Sequence, residues 1–135
     1  MDTIIKKQQQ FHQILEEERI YPVFQPIVSL KNGEILGYEA LTRLDIENCL
    51  INIEEFFLLA EEYECLWIVE EMCRRKTLLA VKENGTDKKI FLNVDPNVIK
   101  DSLFRKGVTI SYLKEFNLYP DNIIWKMIII TGLQQ

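Results

Sequence analysis

The chain has 135 residues, 47% hydrophobic and 27% charged, which suits one ordinary folded domain and excludes a disordered or low-complexity chain. Its 16 Lys and Arg against 21 Asp and Glu leave a net charge of −5, which disfavours a broad nucleic-acid-binding surface. The longest apolar run, residues 127–130, is too short to span a membrane, and no apolar stretch of a signal peptide follows the N-terminal charges. We therefore expect a cytoplasmic protein that does not insert into membranes.

The first part of the chain predicts a helix followed by a β-hairpin. Residues 3–19 carry one apolar stripe on an otherwise polar sequence, which is typical of an amphipathic helix. Tyr21-Pro22 ends it, because the residue before proline avoids the helical conformation. The Asn32-Gly33 pair then separates two strand-like runs, residues 23–30 and 35–43, and Asn-Gly between apolar runs is a strong hairpin signal.

The middle of the chain predicts two helices. Asn52, with a glutamate three residues later, forms a capping-box pattern that favours a helix start. A second helical stretch covers residues 68–82 and contains two charged pairs spaced by four residues. These pairs are Glu70 with Arg74 and Glu71 with Arg75. They predict a solvent-exposed helix face.

The last part of the chain alternates strands and helices. Residues 89–94 read as a short apolar strand, residues 96–104 and 111–117 as helices, and residues 123–130 as a final buried strand. A hairpin followed by this alternation predicts an α/β fold with a largely parallel sheet.

The cysteines and the single histidine offer little chemistry. Cys49, Cys65 and Cys73 form no CxxC pair, and His12 has no second histidine with which to bind zinc. We expect buried, reduced thiols rather than disulfides or a nucleophilic cysteine.

Three polar residues occupy positions where chemistry is expected. Glu39 lies inside an apolar strand, Arg43 lies on the same face four residues later, and Asn93 lies near a strand end. A carboxylate and an amide oxygen suit a hard cation such as Mg²⁺ or Mn²⁺, and an arginine suits a phosphate. Structural roles compete with this interpretation: Glu39 and Arg43 could form a salt bridge, and Asn93 could cap the following turn or helix.

Several ordered segments of the chain together resemble a known family. They are Phe24-Gln25-Pro26-Ile27-Val28, the Asn-Gly hairpin, Gly37-Tyr38-Glu39-Ala40-Leu41-Thr42-Arg43, Ala60-Glu61-Glu62 and Phe91-Leu92-Asn93-Val94-Asp95-Pro96. In this order they resemble the opening half of an EAL domain, the bacterial cyclic-di-GMP phosphodiesterase family named after the Glu-Ala-Leu triplet. The resemblance runs from about residue 20 to residue 120.

The resemblance implies a fold, a reaction and a set of site residues. The family fold is a TIM-like barrel whose first strand is antiparallel to the others, and its reaction is metal-dependent hydrolysis of cyclic-di-GMP to linear pGpG. By this resemblance, Glu39 and Asn93 would be metal ligands for Mg²⁺ or Mn²⁺. The substrate-binding residues would be Gln25, Leu41 and Arg43. The chain would then be an N-terminal helix over residues 1–19 followed by half an EAL barrel over residues 20–135.

The sequence departs from the family pattern in ways that predict a loss of catalysis. A TIM barrel takes about 250 residues, and this sequence has 135. The family's Glu-x-Thr-Glu motif should begin near Lys126, but a lysine stands there in place of a metal-binding carboxylate and would repel a dication. No acidic residue follows Asp121. We expect a truncated domain without a complete catalytic set. A frameshifted gene is one hypothesis for the truncation, and a deliberately shortened domain is the alternative.

Three functions remain open at this point. The first is an inactive EAL fragment that still binds ligand or assembles with another chain. The second is an active phosphodiesterase completed by a partner or a homodimer. The third is a nucleotide-independent interaction module. Pairing is expected through the open sheet edge, at the strand over residues 123–130.

Overall fold

The computed structural model describes residues 2–97 and 107–127 as an α/β structure in which a four-stranded sheet is covered by helices. The helices are α1 (Thr3–Glu17), α2 (Ile53–Glu62), α3 (Leu66–Asn84) and α4 (Val108–Glu115), and the strands are β1 (Ile20–Val28), β2 (Ile35–Leu44), β3 (Lys89–Val94) and β4 (Ile123–Met127). Most of the helix expected over residues 96–104 lies outside the described residues, as do residues 128–130 of the expected last strand.

The sheet has the order β1-β2-β3-β4, with β1 antiparallel to β2 and the other neighbours parallel. This confirms the predicted mixed sheet with an antiparallel first strand. The hairpin closes at Gly33, whose φ of 73° lies in the left-handed region that glycine adopts readily. Gly37 lets β2 and β3 approach closely, because a Cβ there would lie 2.6 Å from the carbonyl oxygen of Lys89.

The core lies mainly on one side of the sheet. Ala40, Leu92 and Ile123 pack there against Leu78 of α3 and Leu113 of α4. A second cluster joins α1, α2 and the start of α3, and its members include the fully buried Phe11, Ile14 and Phe56. The helix α1 is therefore packed into the same structure, and its separation as a unit of its own stays a prediction.

Two expectations for the later elements are wrong in detail. The helix α4 begins at Val108, earlier than expected, because Gly107 precedes it with a φ of 81° and starts the turn. The last strand is not uniformly buried, since Trp125 is 47% exposed. None of the three cysteines forms a disulfide, and all three are only partly buried.

The start of α2 gives a first testable prediction. The side chain of Asn52 accepts a hydrogen bond from the backbone N–H of Glu55 at 2.8 Å, and the Glu55 carboxylate accepts one from the backbone of Asn52. Asn52→Ala should therefore lower the free energy of unfolding by about 1 kcal/mol, measured by urea denaturation. Asn52→Asp keeps an acceptor and should change stability little; an equal loss in both variants would contradict the capping role.

Candidate functional site

The residues that the sequence analysis singled out lie on one face of the sheet. Gln25 lies opposite Glu39 in the antiparallel β1–β2 ladder, and opposite residues of such a pair point the same way. In the parallel ladders Glu39 is in register with Phe91, and Asn93 with Lys126. Because side chains alternate along a strand, this face is opposite the one packed by α3 and α4. It carries Gln25, Glu39, Leu41, Arg43, Asn93 and Lys126.

Glu39 and Lys126 form an ion pair across the sheet. The Lys126 ammonium nitrogen lies 3.3 Å from Oε2 of Glu39, so the pair connects β2 with β4 over the intervening β3. The Glu39 side chain is 20% exposed and that of Lys126 is 55% exposed. The alternative salt bridge between Glu39 and Arg43 is not formed. The carboxylate expected to bind a metal is thus paired with the lysine that the family pattern marks as a departure.

Asn93 has one unpaired polar atom. Its amide nitrogen donates to the carbonyl oxygen of Ala40 at 3.3 Å. Its Oδ1 is buried without a hydrogen-bond partner, and it is the only such side-chain atom in the described part of the chain. The alternative capping role is not seen, because Oδ1 of Asn93 accepts no hydrogen bond and Asp95 accepts the one from the Asn97 backbone. A buried acceptor without a partner is uncommon, so this oxygen is free to take a donor or a cation.

The three expected substrate-binding residues are accessible. Arg43 is exposed, and its guanidinium donates to the backbone oxygen of Thr42 at 3.2 Å. Over residues 2–97 and 107–127 no carboxylate pairs with Arg43. Leu41 is half-buried and Gln25 exposed. Leu41, Arg43 and Asn93 also border a cavity of about 350 Å³, whose other walls include Ala40, Leu92 and residues of α3, so it lies toward the α3 side of the sheet. Their roles toward a ligand remain predictions.

The same cavity is lined by a charged pair that the sequence analysis placed wrongly. Glu70 and Arg74 of α3 were expected on a solvent-exposed face, but they are only 5% and 9% exposed. Arg74 donates from Nη2 to the Glu70 carboxylate at 3.0 Å. Burial raises the pKa of Glu70 to about 7, although the charge of Arg74 opposes that rise. The neighbouring pair, Glu71 with Arg75, is half-buried.

Comparison with known proteins identifies the family of this chain. The sequence model of the EAL domain matches residues 8–124. The chain belongs to the EAL domain family. Its fold is similar to that of the FimX EAL domain of Xanthomonas citri, solved in complex with cyclic-di-GMP, with a TM-score of 0.71, 16% identity, and coverage of 92% of this chain and 49% of that one.

Two further EAL structures are similar in fold. A standalone EAL protein of Vibrio cholerae O395, in its cyclic-di-GMP-bound form, gives a TM-score of 0.64 at 24% identity, covering 86% of this chain and 47% of that one. The FimX EAL domain of Pseudomonas aeruginosa bound to cyclic-di-GMP gives 0.67 at 21% identity, covering 90% and 49%. This chain thus spans about half the length of these EAL structures. The search of curated proteins gave no match.

EAL domains are generally metal-dependent, but the residues described here do not suit a divalent cation. The carboxylate of Glu39 is already paired with an ammonium group, and the other expected ligand, Asn93, offers a single amide oxygen. Among the described residues, no three His, Cys, Asp or Glu side chains lie close enough together to hold a metal ion. Protein sites for Mg²⁺ usually include carboxylate ligands that are not paired with another cation, and the two expected ligands offer none here.

Within residues 2–97 and 107–127, no helix combines the length and the apolar character that crossing a bilayer requires.

Proposed function

We propose that this EAL domain binds cyclic-di-GMP without hydrolysing it, because Lys126 takes the place of a metal ligand. The observation that carries the proposal is the 3.3 Å contact between Lys126 and Glu39. It puts a fixed positive charge beside the carboxylate that would otherwise help to hold a dication. Cytoplasmic location, expected from the sequence, is part of this proposal.

The binding half of the proposal is supported by Arg43, Gln25 and Leu41. Cyclic-di-GMP carries two phosphodiester charges, and Arg43 is exposed and has no carboxylate partner in the described part of the chain. A guanidinium group can donate two parallel hydrogen bonds to one phosphate. Gln25 adds an exposed amide on the same sheet face, and half-buried Leu41 adds apolar surface for a base.

The proposed absence of hydrolysis follows from the chemistry of the Lys126 ammonium group, which cannot replace a metal ion. Metal-assisted phosphodiester hydrolysis needs a cation with an open coordination position, which lowers the pKa of a bound water to produce a nucleophile. The Lys126 ammonium can offset the charge of Glu39, but it has no position at which to coordinate water. Cleavage to pGpG is therefore not expected from the residues described.

Calorimetric titration with cyclic-di-GMP tests the proposal. We expect binding of equal affinity in EDTA and in Mg²⁺ or Mn²⁺, and no pGpG on chromatography of the mixture. Arg43→Ala should weaken binding by about tenfold or more, since hydrogen bonds to charged groups contribute about 1.5–3 kcal/mol. Lys88→Ala is the matched control, because it removes one exposed positive charge at the opposite end of the strands.

The other outcomes would favour other functions. Binding that requires the metal, with release of pGpG, would contradict the proposal and favour a phosphodiesterase completed by a second chain. Absence of binding under all conditions would favour a nucleotide-independent interaction module. Light scattering of the same samples tests the predicted assembly through β4, which is an outer strand of the sheet formed by the described residues.

A further inference from the structure

The buried pair Glu70–Arg74 on α3 contacts β4 and the residue that follows β3, the two strands that carry Lys126 and Asn93. Oε1 of Glu70 accepts a hydrogen bond from the backbone N–H of Asp95 at 3.2 Å. The guanidinium carbon of Arg74 lies 5.1 Å from the centre of the Trp125 ring, a cation–π arrangement. The carboxylate and the guanidinium hold each other at 3.0 Å. One buried pair thus connects the end of β3 with β4.

The two contacts lie next to the site residues along the chain. Asp95 follows Asn93 by two residues, and Trp125 directly precedes Lys126. Asn93 and Lys126 are also in register in the β3–β4 ladder. A shift of either strand end would therefore change the position of the Asn93 amide relative to the Lys126 ammonium.

We propose that Glu70 and Arg74 are positioning residues, which fix how β3 and β4 present Asn93 and Lys126 to a ligand. Glu70 holds the β3 end through its hydrogen bond to the Asp95 backbone, and Arg74 holds β4 through the ring of Trp125. Because Glu70 and Arg74 are also paired with each other, a movement at one of these contacts is expected to affect the other.

The burial of Glu70 and Arg74 favours a positioning role over that of a solvent-exposed ion pair. Both side chains are less than a tenth exposed, and they line the cavity that also reaches Asn93. The adjacent pair, Glu71–Arg75, faces other elements: Arg75 donates to Glu18, and the Tyr112 hydroxyl donates to Glu71. That pair has the same spacing on the same helix, and among the described residues none of its hydrogen bonds or ion pairs reaches β3 or β4, so it serves as a matched control.

The test uses nitrogen-15 NMR on the ligand-free protein and calorimetry with cyclic-di-GMP. Glu70→Met with Arg74→Met should shift the side-chain amide signals of Asn93 and the backbone amide of Lys126. It should also weaken binding about tenfold, the change that a loss of about 1.4 kcal/mol of binding free energy produces. Glu71→Met with Arg75→Met should leave these signals and the affinity unchanged.

A milder variant keeps the test informative if the double variant does not fold. Arg74→Lys retains the charge beside Glu70 but loses the planar group over Trp125. It should shift the Lys126 signal and leave that of Asn93 in place. Shifts in both signals of equal size, or in neither, would overturn the division of roles between Glu70 and Arg74.

The affinity measurement rests on the proposed function, whereas the NMR measurement does not. If the wild-type protein binds no cyclic-di-GMP but the Asn93 and Lys126 signals shift as expected, the proposed function fails and the positioning role stands. If the pair variant lowers stability while both signals and the affinity stay as in the wild type, Glu70 and Arg74 only stabilise the fold and the positioning role is wrong.

Discussion

Lys126→Glu should convert a site that repels divalent cations into one that binds them. The substitution replaces the ammonium beside Glu39 by a second carboxylate, and Oδ1 of Asn93 is a buried oxygen without a partner. Two carboxylates and an amide oxygen form a reasonable partial shell for Mn²⁺ or Mg²⁺, with water in the remaining positions. We expect Mn²⁺ binding by calorimetry and by the loss of the free-ion electron spin resonance signal.

Thermal unfolding gives an independent readout of the same variant. Without metal, two neighbouring carboxylates repel each other, so Lys126→Glu should be less stable than the wild type by about 1 kcal/mol, allowing for solvent exposure. Added Mn²⁺ should reverse this loss, with a gain of about 1.4 kcal/mol at ten times the dissociation constant.

Lys126→Gln is the control, since it removes the positive charge without adding a carboxylate. It should show neither strong Mn²⁺ binding nor metal-dependent stabilisation. If the Lys126→Glu protein is folded but does not bind Mn²⁺ at millimolar concentration, Lys126 is not the group that prevents metal binding. Adding Asn93→Ala to Lys126→Glu should weaken the new site, because it removes the amide oxygen.

The parts of this structure that the sequence predicts well depend on neighbours along the chain. The hairpin follows from Asn32-Gly33, because its turn needs a residue that tolerates positive φ. The start of α2 follows from Asn52 and the glutamate three residues later. The shared face of Glu39 and Arg43 follows from simple alternation along one strand. The antiparallel first strand and the grouping of the site residues came from the family resemblance, not from these local signals.

The buried charged pair shows where local reasoning fails. Spacing by four residues identified Glu70 with Arg74 as a pair, but it says nothing about which side of the helix is covered. One signal was available: Glu70 and Arg74 continue, by steps of about one turn, into the buried residues Leu78 and Val81. The contact with Trp125 could not be predicted, since it depends on how α3 and β4 pack in three dimensions.

Arg74→Met should produce the largest loss of stability among the variants considered. It leaves the carboxylate of Glu70 buried without its counter-ion, and breaking a buried pair in this way costs about 3–5 kcal/mol. We expect a loss of this size at pH 8, measured by urea denaturation. Arg75→Met, on the same helix, removes a more exposed charge and should cost less.

The size of this loss should depend on pH, because Glu70 can be protonated. Burial raises the pKa of Glu70 from 4.5 to about 7 in the folded wild type, and loss of Arg74 should raise it further. A raised folded-state pKa gives stability that is fully present below the unfolded value of 4.5 and is lost as the pH rises through the folded value. The Arg74→Met protein should therefore lose more stability than the wild type between pH 5 and pH 8.

Glu70→Gln added to Arg74→Met separates charge from packing. The glutamine oxygen can still accept the hydrogen bond from the Asp95 backbone, but it carries no charge to be left unpaired. We expect this double variant to regain most of the stability lost at pH 8 and to lack the added pH dependence, since neutral replacements of buried pairs are often tolerated. An Arg74→Met loss that is equal at pH 5 and pH 8, and is not recovered by Glu70→Gln, would assign the cost to lost packing on Trp125 rather than to the unpaired carboxylate.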